Sequence, residues 1–267
     1  MENRTVFHFY VELDDYVPAM WRRIQIASDF SLALLGNVCR LLYEMNEDKS
    51  SFFEVPVLDN MLQYEQKISP GITRSQVSEI MYSRGKEELV FYRYIDDDDN
   101  DADGEYNGII FEQCDFSIDS EKYAPSLPTH DAKMKPIRHA VEHSGDIMFY
   151  HYEFNCGGWT LKLKLEKLIE VNEEDDIDLL VVLDGRGYGI IEECNGPTEL
   201  SRLVKAYRNK NNPDHSEARY LIGSKGVSPT KFDVEAKNRS IIHQFGKQGL
   251  WSPTGSLLVG DSAPNPL

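Results

Sequence analysis

Strict alternation of apolar and polar side chains constrains the fold of this chain more than any other feature. Residues 6–13 read VFHFYVEL, in which His8, Tyr10 and Glu12 share one side of an extended chain and apolar residues occupy the other. Residues 161–166 read LKLKLE and alternate in the same way. Successive side chains of a strand point to opposite faces, so each stretch predicts a strand with one buried and one wet face. Such strands are typical of antiparallel sheets.

A third alternating segment, WRRIQI at residues 21–26, predicts a second strand close to the first. Two aspartates and Pro18 lie between these strands and favour a turn, so we expect a β-hairpin. The alternation places Trp21 and Arg23 on one face and Arg22 on the other. The Arg23 guanidinium could bind a carboxylate or phosphate of a ligand, or form a structural salt bridge in this acidic chain.

Helices are indicated by end signals and by the spacing of apolar residues. Ser28 and Asp29 offer N-cap chemistry before residues 32–45, whose apolar side chains recur along one side of a helix. Thr73 and Gln76 have the pattern of a capping box at the start of another helix. Further helices are predicted at residues 136–143 and 199–207.

The remaining strands are predicted at residues 89–95, 148–154 and 177–183, and the last is mostly apolar, which predicts deeper burial. The first two contain the similar segments Phe-Tyr-Arg-Tyr and Phe-Tyr-His-Tyr, each after a helix and a glycine turn. Duplication of a helix–strand unit and chance both account for this similarity. Helices mixed with hairpin-like strands favour an α+β fold with a mainly antiparallel sheet over a doubly wound parallel sheet.

The charge and cysteine content exclude some functions and locations. The 267 residues include 45 acidic and 28 basic ones, a formal net charge of −17. This charge argues against direct binding of duplex DNA, which requires a basic face that displaces counterions. Four cysteines without CxxC spacing suit free thiols in a reducing compartment. No apolar signal core and no membrane-spanning apolar run are evident, so we expect a cytoplasmic protein without membrane contact.

An acidic loop at residues 96–107 contains part of a calcium-binding pattern. Asp99, Asp101 and Asp103 precede a glycine, as in the first half of an EF-hand loop. The twelfth position of the loop is Ile110 rather than the bidentate glutamate that completes such a site. We therefore expect no cofactor, with calcium or another divalent ion at this loop as the alternative to a solvated acidic segment.

Two other patterns have alternative interpretations. His139 and His143 are four residues apart on a predicted helix, so both could face one metal ion, or they could be surface histidines. The three alternate glycines of residues 185–189 are similar to a phosphate-binding turn, but the third glycine position of a dinucleotide-binding motif is Ile190. Neither pattern alone identifies a site.

Several segments occur together, in this order, in one known family. They resemble successive motifs of the plasmid pRiA4b ORF-three-like family: VPAMWRRIQI with FSLALLGNVCRLLYEM, SGDIMFYHYEFNCGGW, GRGYGIIEECNGP and PTKFDVEAKNRSI. The resemblance covers residues 4–58 and 136–242. It implies one domain at residues 1–245, with an expanded insertion at 59–135 that carries the acidic loop. Residues 246–267 are rich in Gly, Ser and Pro, so we expect a mobile tail there.

The resemblance implies an α+β fold and a cytoplasmic protein of a bacterium or archaeon. The family is often labelled a transposon passenger or TnpR-like resolvase, which implies an association with plasmids and mobile elements. No serine-recombinase motif and no basic DNA-binding arm are evident in this sequence.

The chain departs from the family pattern around residue 155. Glu153 and Trp159 align with the family motif. Residues 155–158 (NCGG) replace the family's second aspartate, and Leu161 occupies the position of its histidine. The two glycines suit a tight or bulged turn between strands, with Trp159 packed beneath it. A polar site formed by those aspartate and histidine positions would be largely lost here.

Adjacent carboxylates remain at Glu192 and Glu193, next to Asn195 and a glycine. They could bind a cation or act as acid and base, or they could form a solvated turn before the next helix. The candidate binding residues are therefore Trp21, Arg23, Glu153, Trp159, Glu192, Glu193 and Asn195.

We expect a non-enzymatic binding or interaction module with an unidentified protein partner, because catalytic motifs are missing and family polar positions are replaced. One alternative is a metal-binding protein or metal-dependent enzyme that uses some of Glu192, Glu193, Glu153 and His151. The other is an accessory protein of DNA transactions, similar to a resolvase.

Overall fold

A computed structural model describes residues 4–93, 129–153, 158–172, 177–223 and 231–246. These residues contain an eight-stranded sheet with the strand order β5-β4-β3-β6-β7-β1-β2-β8. Its strands are β1 (Arg4–Leu13), β2 (Trp21–Ala27), β3 (Ser51–Val55), β4 (Val90–Arg93), β5 (Thr129–Asp131), β6 (Ile147–Tyr152), β7 (Trp159–Val171) and β8 (Leu180–Arg186). Only the β4–β5 pair is parallel. The predicted α+β fold with a mainly antiparallel sheet is confirmed.

Six α-helices accompany the sheet in the described ranges: α1 (Leu32–Tyr43), α2 (Val57–Ile68), α3 (Arg74–Ser83), α4 (Gly196–Arg208), α5 (His215–Gly223) and α6 (Val234–Phe245). The predicted capping box of α3 is present, with reciprocal contacts between Thr73 and Gln76. The predicted N-cap of α1 is wrong. Ser31 caps this helix by accepting a hydrogen bond from the Leu34 amide, because Asp29 instead pairs with Arg4 in the preceding turn.

The predicted helix at residues 136–143 is also wrong. Only Ile137–His139 forms a helical turn, of the 3₁₀ type. His139 and His143 therefore do not share a helix face. The imidazole of His143 stacks on Tyr64 instead, with ring centroids 3.7 Å apart. Backbone amides of residues 142 and 143 bind the Asp146 carboxylate, which holds this segment as a turn.

The alternation of the strands separates a covered face of the sheet from a second face. On the covered face, α1 packs against side chains such as Tyr150 and Phe53, which meet it at Gly36. We call the second face the open face, because its side chains are mostly half-buried or exposed. It is defined by Tyr10, Glu12, Trp21, Arg23, Phe52, Glu54, Phe91, Arg93, Thr129, Asp131, Phe149, His151, Thr160, Lys162, Lys164, Glu166, Asp184 and Arg186.

The two similar aromatic segments lie on either side of β3 in the same register. Phe53 is opposite Tyr92 on one side and Tyr150 on the other. In the same way, Phe52 is flanked by Arg93 and His151. Equivalent residues of the two segments therefore contact the same residue of β3 and share its face.

Part of the predicted insertion belongs to the main sheet. Residues 59–93 form most of α2, all of α3 and β4, and β4 pairs directly with β3. Residues 94–128 lie outside the described part of the chain, as does the predicted tail beyond Gly246.

The last strand is less buried than its apolar sequence predicts. Only Val182 is buried within β8, and Leu183 is 41% exposed. The prediction of a deeply buried strand at residues 177–183 is therefore wrong. The physical reason is that β8 is an edge strand, which has a neighbouring strand on one side alone.

The side chain of Asn238, on α6, closes the middle of this edge. Its Oδ1 accepts a hydrogen bond from the Val182 amide at 2.8 Å, and its Nδ2 donates to the Val182 carbonyl at 2.9 Å. One side-chain amide thus satisfies the two backbone groups that a further strand would pair.

We expect Asn238→Ala to lower the free energy of unfolding by about 1–2 kcal/mol, because two edge groups of Val182 lose their partner. Urea unfolding measures this change. Arg239→Ala is the matched control. The Arg239 side chain is next to Asn238 on α6 and is 69% exposed, so its loss should change the free energy of unfolding by no more than about 0.5 kcal/mol. Equal unfolding midpoints for the two variants would contradict this role of Asn238.

Candidate functional site

Arg22 is a completely buried cation on the covered face. Its Nε and Nη2 donate to the Leu42 carbonyl at 3.2 and 3.1 Å, and Nη2 also donates to Tyr188 at 3.0 Å. Its Nη1 donates to the carbonyls of Trp21 and Arg186 at 2.8 and 2.7 Å. These five bonds match the five N–H donors of a guanidinium. Arg22 therefore joins β2, β8 and the end of α1.

Aromatic rings enclose the same guanidinium from two elements. Its carbon lies 3.9 Å from the ring centroid of Phe232 and 4.6 Å from that of Tyr43. Burial lowers the pKa of Arg22 to about 10, so the group stays charged at neutral pH. With every donor bound to a backbone carbonyl, Arg22 is a structural residue rather than a ligand-binding one.

The glycines of residues 185–189 allow this close packing. A Cβ atom at Gly185 would lie 2.5 Å from the Phe232 ring, and one at Gly187 would lie 2.7 Å from the Met20 side chain. Gly189 has φ +148°, and a Cβ atom there would lie 2.7 Å from the Tyr43 carbonyl oxygen. Packing around Arg22 thus accounts for the glycine pattern that is similar to a phosphate-binding turn.

Trp21 and Arg23 lie together on the open face, as the alternation predicts. The Trp21 ring stacks on Tyr10 with centroids 5.5 Å apart. The Arg23 guanidinium lies 5.3 and 5.4 Å from these two rings and binds both carboxylate oxygens of Glu166, at 2.9 and 3.1 Å. This bond lowers the pKa of Glu166. The arrangement is a half-exposed aromatic and cationic cluster held by ring contacts and one ion pair.

Glu192 accepts hydrogen bonds from the Tyr152 hydroxyl and, at 2.7 Å, from the Asn46 amide. Burial raises the pKa of Tyr152, and the adjacent Glu192 carboxylate raises it further, so the tyrosine is a neutral donor. Glu192 borders a cleft of about 230 Å³ beside the end of α1. In that cleft Glu44 pairs with Lys237 and Glu47 accepts a hydrogen bond from Gln244. Glu192 therefore anchors the loop that follows α1.

The other predicted site residues in the described ranges lie at or near the ends of β6, β7 and α4. Trp159 is only 2% exposed, and the predicted turn at residues 154–157 lies outside the described residues. Glu153 has φ +51° and pairs with Lys49 at 2.7 Å. Asn195 precedes α4, and its amide donates to Glu199 at 2.6 Å. Glu193 lies in the turn before that helix. Asp99, Asp101 and Asp103 fall outside the described residues.

The residues of the metal-site alternative are divided between the two faces of the sheet. His151 lies on the open face, whereas the adjacent Tyr152 reaches Glu192 on the covered side. Within the described ranges, no group of three or more His, Cys, Asp or Glu side chains is placed to hold a metal ion. Among the described cysteines, Cys39 and Cys194 are both buried.

Sequence reasoning missed a hydrogen-bonded row on the open face. His151 Nδ1 contacts the Thr160 hydroxyl at 3.2 Å, and its Nε2 contacts Glu54 at 3.1 Å. The imidazole also stacks on Phe52, with centroids 4.7 Å apart. These residues come from three adjacent strands, so the row becomes visible only when the strand order is known.

This hydroxyl–imidazole–carboxylate order is that of a nucleophile, a base and an orienting acid. Acyl transfer also requires donors aimed at the developing oxyanion. His151 and Thr160 are direct partners in the β6–β7 ladder, where backbone N–H groups bind the neighbouring strand. The row is therefore best described as a cross-strand polar ladder.

The comparisons with known proteins agree with this fold. A family model described as plasmid pRiA4b ORF-3-like protein matches residues 5–240. The chain belongs to this family. A comparison with curated proteins gave no match. A solved structure, the protein of unknown function MM3350 from Methanosarcina mazei Go1, has 14% sequence identity and a TM-score of 0.58, over 87% of this chain and 97% of its own. That likeness concerns the fold alone.

Three of the four family motif segments in this chain meet around Arg22. The Trp-Arg-Arg motif supplies Arg22 itself, and the glycine motif supplies the carbonyls and the close approach at Gly185. The closing motif supplies Phe232 against the guanidinium and Asn238 at the edge of β8. These motif residues therefore hold the β2–β8 edge of the sheet together. In the described residues, no helix is long and apolar enough to cross a membrane.

Proposed function

We propose that this protein is a non-enzymatic binding module, associated with mobile elements, that engages a protein partner through the open face. The observation that carries this proposal is the half-exposed cluster of Trp21, Tyr10 and Arg23. Tryptophan, tyrosine and arginine are the residues most enriched among those that dominate protein–protein binding energy. Their mutual contacts hold them in one geometry, which reduces the entropy lost on binding.

The remaining candidates have structural partners, which supports a module without an active site. Glu192 binds Tyr152 and Asn46, Glu153 binds Lys49, and Trp159 is buried. The metal-dependent alternative has less support. His151 and Tyr152, which binds Glu192, project from opposite faces of β6. The DNA-accessory alternative has no supporting observation, and the net charge of −17 opposes it.

Native mass spectrometry tests this proposal on protein purified gently from its own host, with and without a chelator. We expect a bound protein and no mass that the chelator removes. Trp21→Ala should reduce the fraction carrying the partner at least tenfold, because truncating a central aromatic anchor costs about 2 kcal/mol or more. The structure of β2 should stay unchanged in Trp21→Ala, because the Arg23–Glu166 pair remains.

Tyr82→Ala is the matched control, since this aromatic side chain on α3 is 87% exposed and lies outside the open face. It should bind the partner as the unmodified protein does. Equal loss in both variants would contradict the role of the open face. A stoichiometric metal ion or small molecule would contradict a non-enzymatic module and direct attention to Glu192 and Glu193.

A further inference from the structure

One cross-strand row extends over the full width of the open face. Trp21 and Phe149 are separated along it by the charged pair Glu12 and Lys162. Glu54 follows between Phe149 and Phe91. From β8 to β5 the complete row is Arg186, Trp21, Glu12, Lys162, Phe149, Glu54, Phe91 and Thr129. Aromatic rings thus recur at intervals across the sheet, with charges of both signs between them.

The charges of the open face balance, although the chain as a whole is strongly acidic. The side chains that define this face include five basic ones (Arg23, Arg93, Lys162, Lys164 and Arg186) and five acidic ones (Glu12, Glu54, Asp131, Glu166 and Asp184). The formal net charge of the chain is −17. Two copies therefore repel each other in most orientations, but their open faces can meet without net repulsion.

The accessible part of the open face suits a small dimer interface. Phe91 on β4 is buried, so the six strands from β3 to β8 in the sheet order form the surface that can dock, and they extend roughly 24 Å at a spacing of about 4.8 Å. Three rows of outward side chains, about 6.6 Å apart along the strands, add a height of roughly 20 Å. The product is roughly 500 Å² per copy, or about 1,000 Å² in total, which is the size of a weak specific interface.

We infer that the open face docks a second copy of this chain, in a twofold dimer. This inference rests on the proposed function and names its partner. A twofold interface brings the same patch of both copies together, so the patch must complement itself. Equal numbers of acidic and basic side chains around aromatic anchors meet this condition. An acidic partner protein would favour a face with a net positive charge, and a basic partner would favour one with a net negative charge.

Sedimentation equilibrium of the purified full chain at several concentrations tests the inference. We expect a mass twice that of one chain. The double variant Lys162→Glu/Lys164→Glu gives the face a net charge of −4, and it should weaken association at least tenfold. Lys205→Glu/Lys210→Glu is the control, since it changes the total charge equally at exposed positions outside the open face, and it should remain dimeric.

Ionic strength supplies an independent readout. Because the docked faces are neutral in sum while the remaining surfaces repel, the unmodified dimer should tighten between about 20 and 300 mM salt as this repulsion is screened. Circular dichroism checks that both variants are folded.

Three results would overturn the inference: a monomer throughout at ~100 µM protein, a dimer that the Lys162/Lys164 variant leaves intact, or equal dissociation of both double variants. A monomer that still carries a different protein in a Trp21-dependent manner would overturn the second-copy assignment alone. Loss of any Trp21-dependent partner would reject the proposed function as well.

Discussion

Replacement of Arg22 with alanine is expected to lower the free energy of unfolding by about 4 kcal/mol. The end of α1, the end of β8 and the segment after β8 lose their common donor, since the carbonyls of Leu42, Arg186 and Tyr188 are left without it. The buried Leu42 carbonyl costs about 1–3 kcal/mol when it is unsatisfied, the two part-buried carbonyls add a smaller cost, and the contacts with the rings of Tyr43 and Phe232 are lost too. Urea unfolding followed by circular dichroism measures the change.

The neighbouring Arg23 provides a control with the same side chain on the same strand. Its salt bridge with Glu166 is partly exposed, with 43% of the Arg23 side chain accessible, so Arg23→Ala should cost about 1 kcal/mol or less. A fourfold or greater difference between two adjacent arginines would locate the effect in burial and hydrogen bonding. Similar costs for both variants would contradict the structural role of Arg22.

We expect Gly189→Ala to lower the free energy of unfolding by about 3 kcal/mol. Its φ of +148° is strained for alanine, and the new Cβ atom would lie 2.7 Å from the Tyr43 carbonyl oxygen. That carbonyl already accepts a hydrogen bond from the Ile190 amide at 2.8 Å. The end of α1 and the segment after β8 must therefore separate, which weakens their mutual contacts. Thermal and urea unfolding should both show the loss.

Gly71→Ala distinguishes backbone strain from this close approach. Gly71 has a φ of +105°, but a Cβ atom there would meet nothing within 4 Å. Its cost should be about 1 kcal/mol, the penalty for an unfavourable backbone conformation alone. If Gly71→Ala destabilises the protein as much as Gly189→Ala does, the contact with Tyr43 has no separate effect.

The two predictions share a physical basis. Arg22 is retained in the interior because backbone carbonyls at the end of α1 and along β8 replace its hydration. Lys237 donates to the Leu41 carbonyl at the same helix end. Cations near the C-terminus of a helix are stabilised by its dipole and by its unpaired carbonyl groups. The β2–β8 edge and α1 are therefore joined by cations that do not pair with buried acids.

This structural role also clarifies what the family motifs report. Arg22, Gly185, Phe232 and Asn238 form one packed unit at the β2–β8 edge. Resemblance through these residues is thus evidence about the fold. Evidence about the function must come from residues outside this unit, such as Trp21 and Arg23 on the open face.

Local sequence patterns were sufficient for the fold class, the first hairpin, the opposite faces of Arg22 and Arg23, and the capping box at Thr73. These features depend on residues close together in the chain, where periodicity and hydrogen-bonding chemistry act directly. The family was also predictable, because its motifs are local strings of residues, and the match at residues 5–240 confirms it.

Tertiary structure alone decided which face of the sheet the helices cover, and therefore that Arg22 is buried while Arg23 is not. It also made β8 an edge strand, brought Glu192 to Tyr152 and Asn46, and aligned Glu54, His151 and Thr160 in one row. These contacts join residues distant in sequence. The period of a strand specifies that its faces differ, but strand order and long-range packing determine which face becomes the core.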